Sequence, residues 1–186
     1  MSAGASGLTL ATKLTLARIA LILPFAVLFA TGPAWLAALV FAVAGLTDWL
    51  DGYVARKRGE VSALGAALDP IADKLLTIAA LIMLAALGIL TDAGIVAALL
   101  IALREVLVGG LREATAAYEV KLPVTYLAKV KTTVQFVAFV LLIASDGAGP
   151  LFRVGDVMLW AAAVLTVWTG YQYADKAVRA LTAPRG

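Results

Sequence analysis

Six long apolar stretches, separated by short polar breaks, leave this chain no way to fold as a soluble domain. They cover residues 14–30, 34–56, 68–90, 95–112, 123–144 and 157–173. At about 1.5 Å of rise per residue, each helix can cross a hydrocarbon core of roughly 30 Å with its ends in the interface. The Thr31-Gly32-Pro33 break is expected to be a turn, because Gly and Pro both interrupt helix, and Thr91-Asp92-Ala93-Gly94 a tight turn between the third and fourth segments. Of the 186 residues, 63% are apolar and only 15% charged, with a mean hydropathy of +0.98. A soluble domain carries about a quarter charged residues, so soluble enzyme classes are excluded. The expected architecture is an all-α integral membrane protein, a six-transmembrane-helix bundle forming a single domain over residues 1–186, with frayed termini.

The positions of Lys and Arg orient such a bundle. With an even number of spans both termini lie on one side, which collects Lys13, Arg18, Arg56, Lys57, Arg58, Lys74, Arg104, Arg112, Lys121, Lys129, Lys131, Lys176, Arg179 and Arg185, while Arg153 alone falls on the other. That asymmetry places both termini in the cytoplasm. Anionic headgroups are the simplest partners of Lys176, Arg179 and Arg185. Cleavage of the first segment as a signal peptide is not expected, since Arg18 lies near its start and no small-residue cleavage pattern follows.

The chain contains no Cys and no His, which removes disulfides, thiolate chemistry and imidazole catalysis. Its chemistry must run on carboxylates, hydroxyls, Lys and Arg. Four carboxylates, Asp48, Asp51, Asp69 and Asp73, stand at the boundary ends of the second and third segments. On a helix, Asp48 and Asp51 share a face with the small residues Gly52 and Ala55, and Asp69 and Asp73 share another. The short loop between the segments makes the two helices antiparallel neighbours able to turn those faces together. Four like charges would repel there unless cations balance them, and two divalent ions cancel the formal charge. Oxygen-only ligands select a hard ion, Mg²⁺ first, with Mn²⁺ or Ca²⁺ as possible substitutes. Gly52 and Ala55 then leave room for a ligand to approach, and Arg56, Lys57, Arg58 and Ser62 can hold phosphate oxygens. Plainer readings exist residue by residue. Asp69 before Pro70 also suits a helix N-cap, and Lys57 and Arg58 suit a positive-inside loop.

The pattern Asp48-x2-Asp51-Gly52-x2-Ala55-Arg56-x8-Gly65-x3-Asp69-x3-Asp73 resembles, without a gap, the signature of the CDP-alcohol phosphatidyltransferase family. The resemblance implies that Asp48, Asp51, Asp69 and Asp73 hold two metal ions and that Asp73 is also the general base. It implies CDP-lipid contacts at Gly52, Ala55, Arg56, Ser62 and Gly65, with Thr12 and Thr15 ahead of the first span. It also implies a homodimer and no nucleic-acid partner. A diphosphate neutralised by two metals and by Arg56, attacked by an alcohol whose proton goes to Asp73, is chemistry these residues can perform.

A second basic group, Arg104 and Arg112 with Lys129 and Lys131, suits an acceptor that is itself a phosphate monoester, although Arg104 pairing with an acid inside the bundle is an equally good account. Residues 102–135, Thr47 to Gly52 and Val167-Trp168 are most similar to the branch of the family that joins CDP-diacylglycerol to glycerol 3-phosphate. That branch implies a bacterial inner membrane and a site facing the cytoplasm. Thr12 stands where it commonly has Asn in an Asn-x-x-Thr pattern, while Thr15 is retained. Two rivals stay open: a sister transferase using inositol phosphate, serine or a second lipid, and a divalent-cation transporter. The transporter calls for acids near mid-bilayer on broken helices rather than at one boundary. Glu60, Glu113 and Glu119 read as solvated loop charges, and Trp35, Trp160, Trp168 and Tyr171 as interface or packing residues.

Overall fold

The computed structural model describes the backbone of residues 9–58, 63–118 and 125–182, together with their side chains except those of 11, 48–58, 63 and 66. Regular structure among the described residues is helical throughout: α1 Leu10–Thr31, α2 Ala34–Arg58, α3 Ala63–Ala86, α4 Asp92–Ala117, α5 Tyr126–Ala144 and α6 Gly149–Thr182. Four stretches are long and apolar enough to cross a membrane, namely Thr12–Thr31, Asp92–Ala117, Tyr126–Ala144 and Gly149–Thr182, and Ala34–Thr47 is a shorter apolar one. The all-α architecture implied by the apolar runs is thus present.

Several boundaries differ from the sequence reading for identifiable reasons. α3 stops at Ala86 because Gly88 takes a left-handed φ of 66° and the N–H of Ile89 turns back to the carbonyl of Leu84 at 3.0 Å. The tight turn therefore precedes Thr91. Asp92, Ala93 and Gly94 form the first turn of α4, capped where Thr91 Oγ1 accepts the Gly94 N–H at 2.9 Å. Asp69 is not an N-cap: α3 begins at Ala63, and both Asp69 and Pro70 lie within it. At the other end of the chain, α6 runs nine residues beyond Tyr173, through exposed turns spanned by an Arg179–Asp175 ion pair at 2.9 Å.

The chain divides into two compact units, Met1–Met83 and Leu84–Gly186. In the first, α1 packs on α2. Phe25 and Phe29 of α1 and Phe41 of α2 are buried, with the Phe25 ring centroid 5.7 Å from that of Phe29 and 5.4 Å from that of Phe41. Buried Ala37, Ala38 and Ala44 let the helix backbones approach around this cluster. In the second unit, α6 packs against both α4 and α5. Ile101, Phe139, Leu142 and Leu159 fill its core between small residues such as Ala97, Ala138 and Ala162. Val108, Ala128 and Tyr173 form a buried cluster with one residue from each of the three helices.

Candidate active site

The signature acids of the first unit are carried by α2 and α3. Asp48, Asp51, Gly52, Ala55 and Arg56 belong to α2, with side chains outside the described residues, and Ser62 lies outside them altogether. Asp69 and Asp73 occupy successive turns of α3, Asp69 half-buried and Asp73 exposed, and Gly65 is buried one turn before Asp69. α1 reaches this acidic stretch through a hydroxyl: Thr15 Oγ1 donates to Asp69 Oδ1 at 2.8 Å. Thr15 is 1% exposed, so the bond is shielded from water and orients the carboxylate. Thr12, equally buried, engages the start of its own helix. Its hydroxyl lies 2.8 Å from that of Thr9, and Thr9 Oγ1 caps the helix by accepting the Thr12 N–H at 3.3 Å. A local capping role is therefore filled at the position where the Asn-x-x-Thr pattern has Asn.

One turn after Thr15, Arg18 is almost fully buried in the first unit. The sequence reading counts it only as an orienting charge. A buried guanidinium needs an anion or several acceptors nearby, so this residue belongs to the polar interior.

The second unit gathers most of the other basic residues. Arg104 Nη1 and Lys131 Nζ both donate to one oxygen, Glu105 Oε1, at 3.1 and 2.5 Å. The side chains are 12%, 4% and 12% exposed for Arg104, Lys131 and Glu105, so the triad is largely withdrawn from water. Arg104 Nη2 also reaches Thr169 Oγ1 at 3.4 Å. The buried ring of Tyr173 joins the second arginine to this group: Arg112 Nη2 donates to its Oη at 2.9 Å, and the guanidinium carbons of Arg112 and Arg104 lie 5.0 and 5.8 Å from the ring centroid. Gly170 provides the space for Arg104, since a Cβ there would stand 3.0 Å from Arg104 Cγ. Lys129, by contrast, is exposed, and none of the described ion pairs involves it. Both accounts of Arg104 therefore meet in one place, because it pairs with an acid inside the bundle and stands among cations suited to phosphate.

A model of the CDP-alcohol phosphatidyltransferase family matches residues 8–168. The chain belongs to that family. Among curated phosphatidyltransferases, this one is 45% identical over 167 residues to the Rickettsia bellii CDP-diacylglycerol–glycerol-3-phosphate 3-phosphatidyltransferase, covering 86% of this chain and 90% of that one. It is 38% identical to the Pectobacterium atrosepticum protein of the same name, over 93% and 97% of the two chains. Its fold is similar to that of Mycobacterium tuberculosis phosphatidylinositol phosphate synthase with CDP-DAG bound, with a TM-score of 0.69, 21% identity and coverage of 97% and 93%.

The donor chemistry of the phosphatidyltransferase fits hard cations. Oxygen ligands alone are offered, and a hydroxyl fixes one oxygen of Asp69 in the manner that outer-sphere groups orient metal-bound carboxylates. In the second unit, buried Arg104 Nε, Gln135 Oε1 and Thr166 Oγ1 carry no hydrogen-bond partner. Gln135 follows Lys131 by one turn of α5, and Thr166 precedes Thr169 by one turn of α6. These atoms give the cluster hydrogen-bonding capacity for a polar ligand.

Sequence reasoning did not single out Glu105, Thr169 or Tyr173, whose side chains contact Arg104, Lys131 or Arg112. Glu105 had a usable signal, being a lone acid within an apolar run, where ionisable residues are functional by default. Tyr173 had none, since it reads as the last residue of a span.

Proposed function

We propose that this phosphatidyltransferase moves the phosphatidyl group of CDP-diacylglycerol to glycerol 3-phosphate, giving phosphatidylglycerophosphate and CMP. The observation that carries the acceptor assignment is the cluster of Arg104, Arg112 and Lys131 with Glu105, three cations against one anion, with Lys131 buried and Arg112 at its exposed edge. Its net charge suits a phosphate monoester of about −1.5 to −2 and has no purpose for an uncharged alcohol. The names of the Rickettsia and Pectobacterium relatives agree with this choice.

Asp48, Asp51, Asp69 and Asp73 would hold two Mg²⁺ ions, with Mn²⁺ as a substitute, and these would neutralise the diphosphate when bound. Arg56 and Ser62 hold the diphosphate oxygens, Gly52, Ala55 and Gly65 leave space for the nucleotide-lipid, and Thr12 and Thr15 support its site from α1. Asp73 takes the proton of the acceptor hydroxyl as its oxygen bonds to the lipid-bearing phosphorus and the bond to CMP breaks. Arg104, Arg112 and Lys131 hold the acceptor phosphate, with Lys129 at its exposed margin. The two units act as one catalytic domain, residues 1–186. The enzyme works as a homodimer in the bacterial inner membrane, with six spans, both termini in the cytoplasm and the site on that face.

Purified protein in vesicles, given CDP-diacylglycerol, Mg²⁺ and each acceptor in turn, tests this reading. Glycerol 3-phosphate should release CMP in equal amount with the lipid product, a chelator should stop the reaction, and Asp73→Asn should keep CDP-lipid binding while losing turnover by about a hundredfold or more. Faster turnover with inositol phosphate would reject the acceptor, and metal flux without CMP release would favour the transporter.

A further inference from the structure

Glu105 is an anion placed where the proposed ligand is also an anion, which needs an explanation. Two features supply it. First, Arg104 and Lys131 come from different helices, α4 and α5, yet their donors meet at the same oxygen, Glu105 Oε1. Two cations largely removed from water repel each other strongly, and without a shared anion they would separate or turn toward the interface. Second, Glu105 does not use all of the Arg104 guanidinium. Arg104 extends past it to Thr169 and lies over the Tyr173 ring that Arg112 also contacts. The orphaned Arg104 Nε is part of the same guanidinium.

We propose that Glu105 is the positioning residue of the acceptor site: it draws Arg104 and Lys131 onto one oxygen and brings the group of Arg104, Lys131, Arg112 and Glu105 to a net positive charge that balances a phosphate monoester dianion. This rests on the reading of that cluster as the acceptor site. Glu105 does not itself touch substrate. It fixes the spacing of two phosphate donors before the acceptor arrives, so that binding does not have to overcome their repulsion or order their side chains. With Glu105 in place, the three cations leave two positive charges for the ligand. Acceptors lacking a second phosphate charge leave the cluster unbalanced, which gives selectivity for a free phosphate monoester over a neutral alcohol.

The test is a kinetic comparison of wild type, Glu105→Asp, Glu105→Gln and the double variant Glu105→Gln/Lys131→Gln in vesicles, with inorganic phosphate as a competing probe. Glu105→Gln should raise the KM for glycerol 3-phosphate about tenfold or more, and weaken competition by inorganic phosphate in parallel, while the KM for CDP-diacylglycerol stays within about twofold. Glu105→Asp should fall between. Removing a buried anion can prevent folding, and the double variant answers this by deleting both ends of the pair. It should fold, and its acceptor KM should stay at or above that of Glu105→Gln, because Lys131 is then lost as a phosphate ligand as well. An unchanged acceptor KM in Glu105→Gln, or a double variant whose acceptor KM returns to the wild-type value, would overturn the inference while leaving the transferase reading intact. A wild-type protein that releases no CMP with any acceptor would remove both.

Discussion

Replacing Thr15 by Val keeps most of the side-chain shape and deletes the O–H that Asp69 Oδ1 accepts at 2.8 Å. A hydrogen bond to a charged group contributes about 1.5–3 kcal/mol, so Thr15→Val should lower kcat/KM by about tenfold or more. More Mg²⁺ should be needed for half-maximal activity, because the carboxylate is no longer aimed. Thr15→Ser should recover most of the loss. A Val variant with wild-type activity and an unchanged Mg²⁺ requirement would show that the bond has no part in catalysis. This pair also marks a limit of legibility. Asp69 is readable from its place in the signature and Thr15 from its place before the first span, but their contact joins positions 54 residues apart, and only the fold brings them together. Arg18 illustrates the same limit, since a cation near a helix end reads equally well as snorkelling or as buried.

At the scale of helices, the apolar runs identify all six elements, yet they say little about which face each presents. In a soluble helix the polar face reports the buried one by contrast, whereas a helix in lipid is apolar on both sides and the contrast is lost. Polar side chains inside the runs are then the remaining clue, which is why Lys131 is legible and the α5–α6 contact is not. Small residues complete that contact. A Cβ on Gly155 would lie 2.9 Å from Leu142 Cγ and 3.1 Å from the Leu142 backbone nitrogen, closer than packed helices allow. Overpacking of this kind costs about 1–3 kcal/mol, so Gly155→Ala should lower the melting temperature in detergent by several degrees. Leu142→Val in the same chain should recover part of it by withdrawing the side-chain clash. Gly155 precedes Gly170 by about four turns of α6, so acceptor KM measured below the melting range should not move. A Gly155→Ala protein as stable as wild type would mean that α5 and α6 can part at no cost.

For the molecule as a whole, the orientation proposed here follows from one asymmetry, fourteen basic residues against Arg153 alone. The chemistry agrees with a site at a membrane boundary, because CMP and glycerol 3-phosphate are water-soluble and charged, while CDP-diacylglycerol keeps its acyl chains in lipid. The absence of Cys from the chain allows the proposal to be tested without first removing native thiols. Single variants Ser2→Cys and Ala183→Cys should react with a membrane-impermeant maleimide only after intact cells are opened. Ala148→Cys, in the exposed turn between α5 and α6, should react from outside the inner membrane with the cells still sealed. Each variant must also retain CMP release, so that the labelled population is the active one. Labelling of positions 2 and 183 from opposite sides would require an odd number of spans, and α2 or α3, each shorter in uninterrupted apolar length than α4 or α6, would then be the helix that fails to cross. Such a result would separate the termini across the bilayer and undo the charge-based orientation, while the Thr15–Asp69 contact and the Arg104–Glu105–Lys131 triad would still stand, each being internal to its own unit.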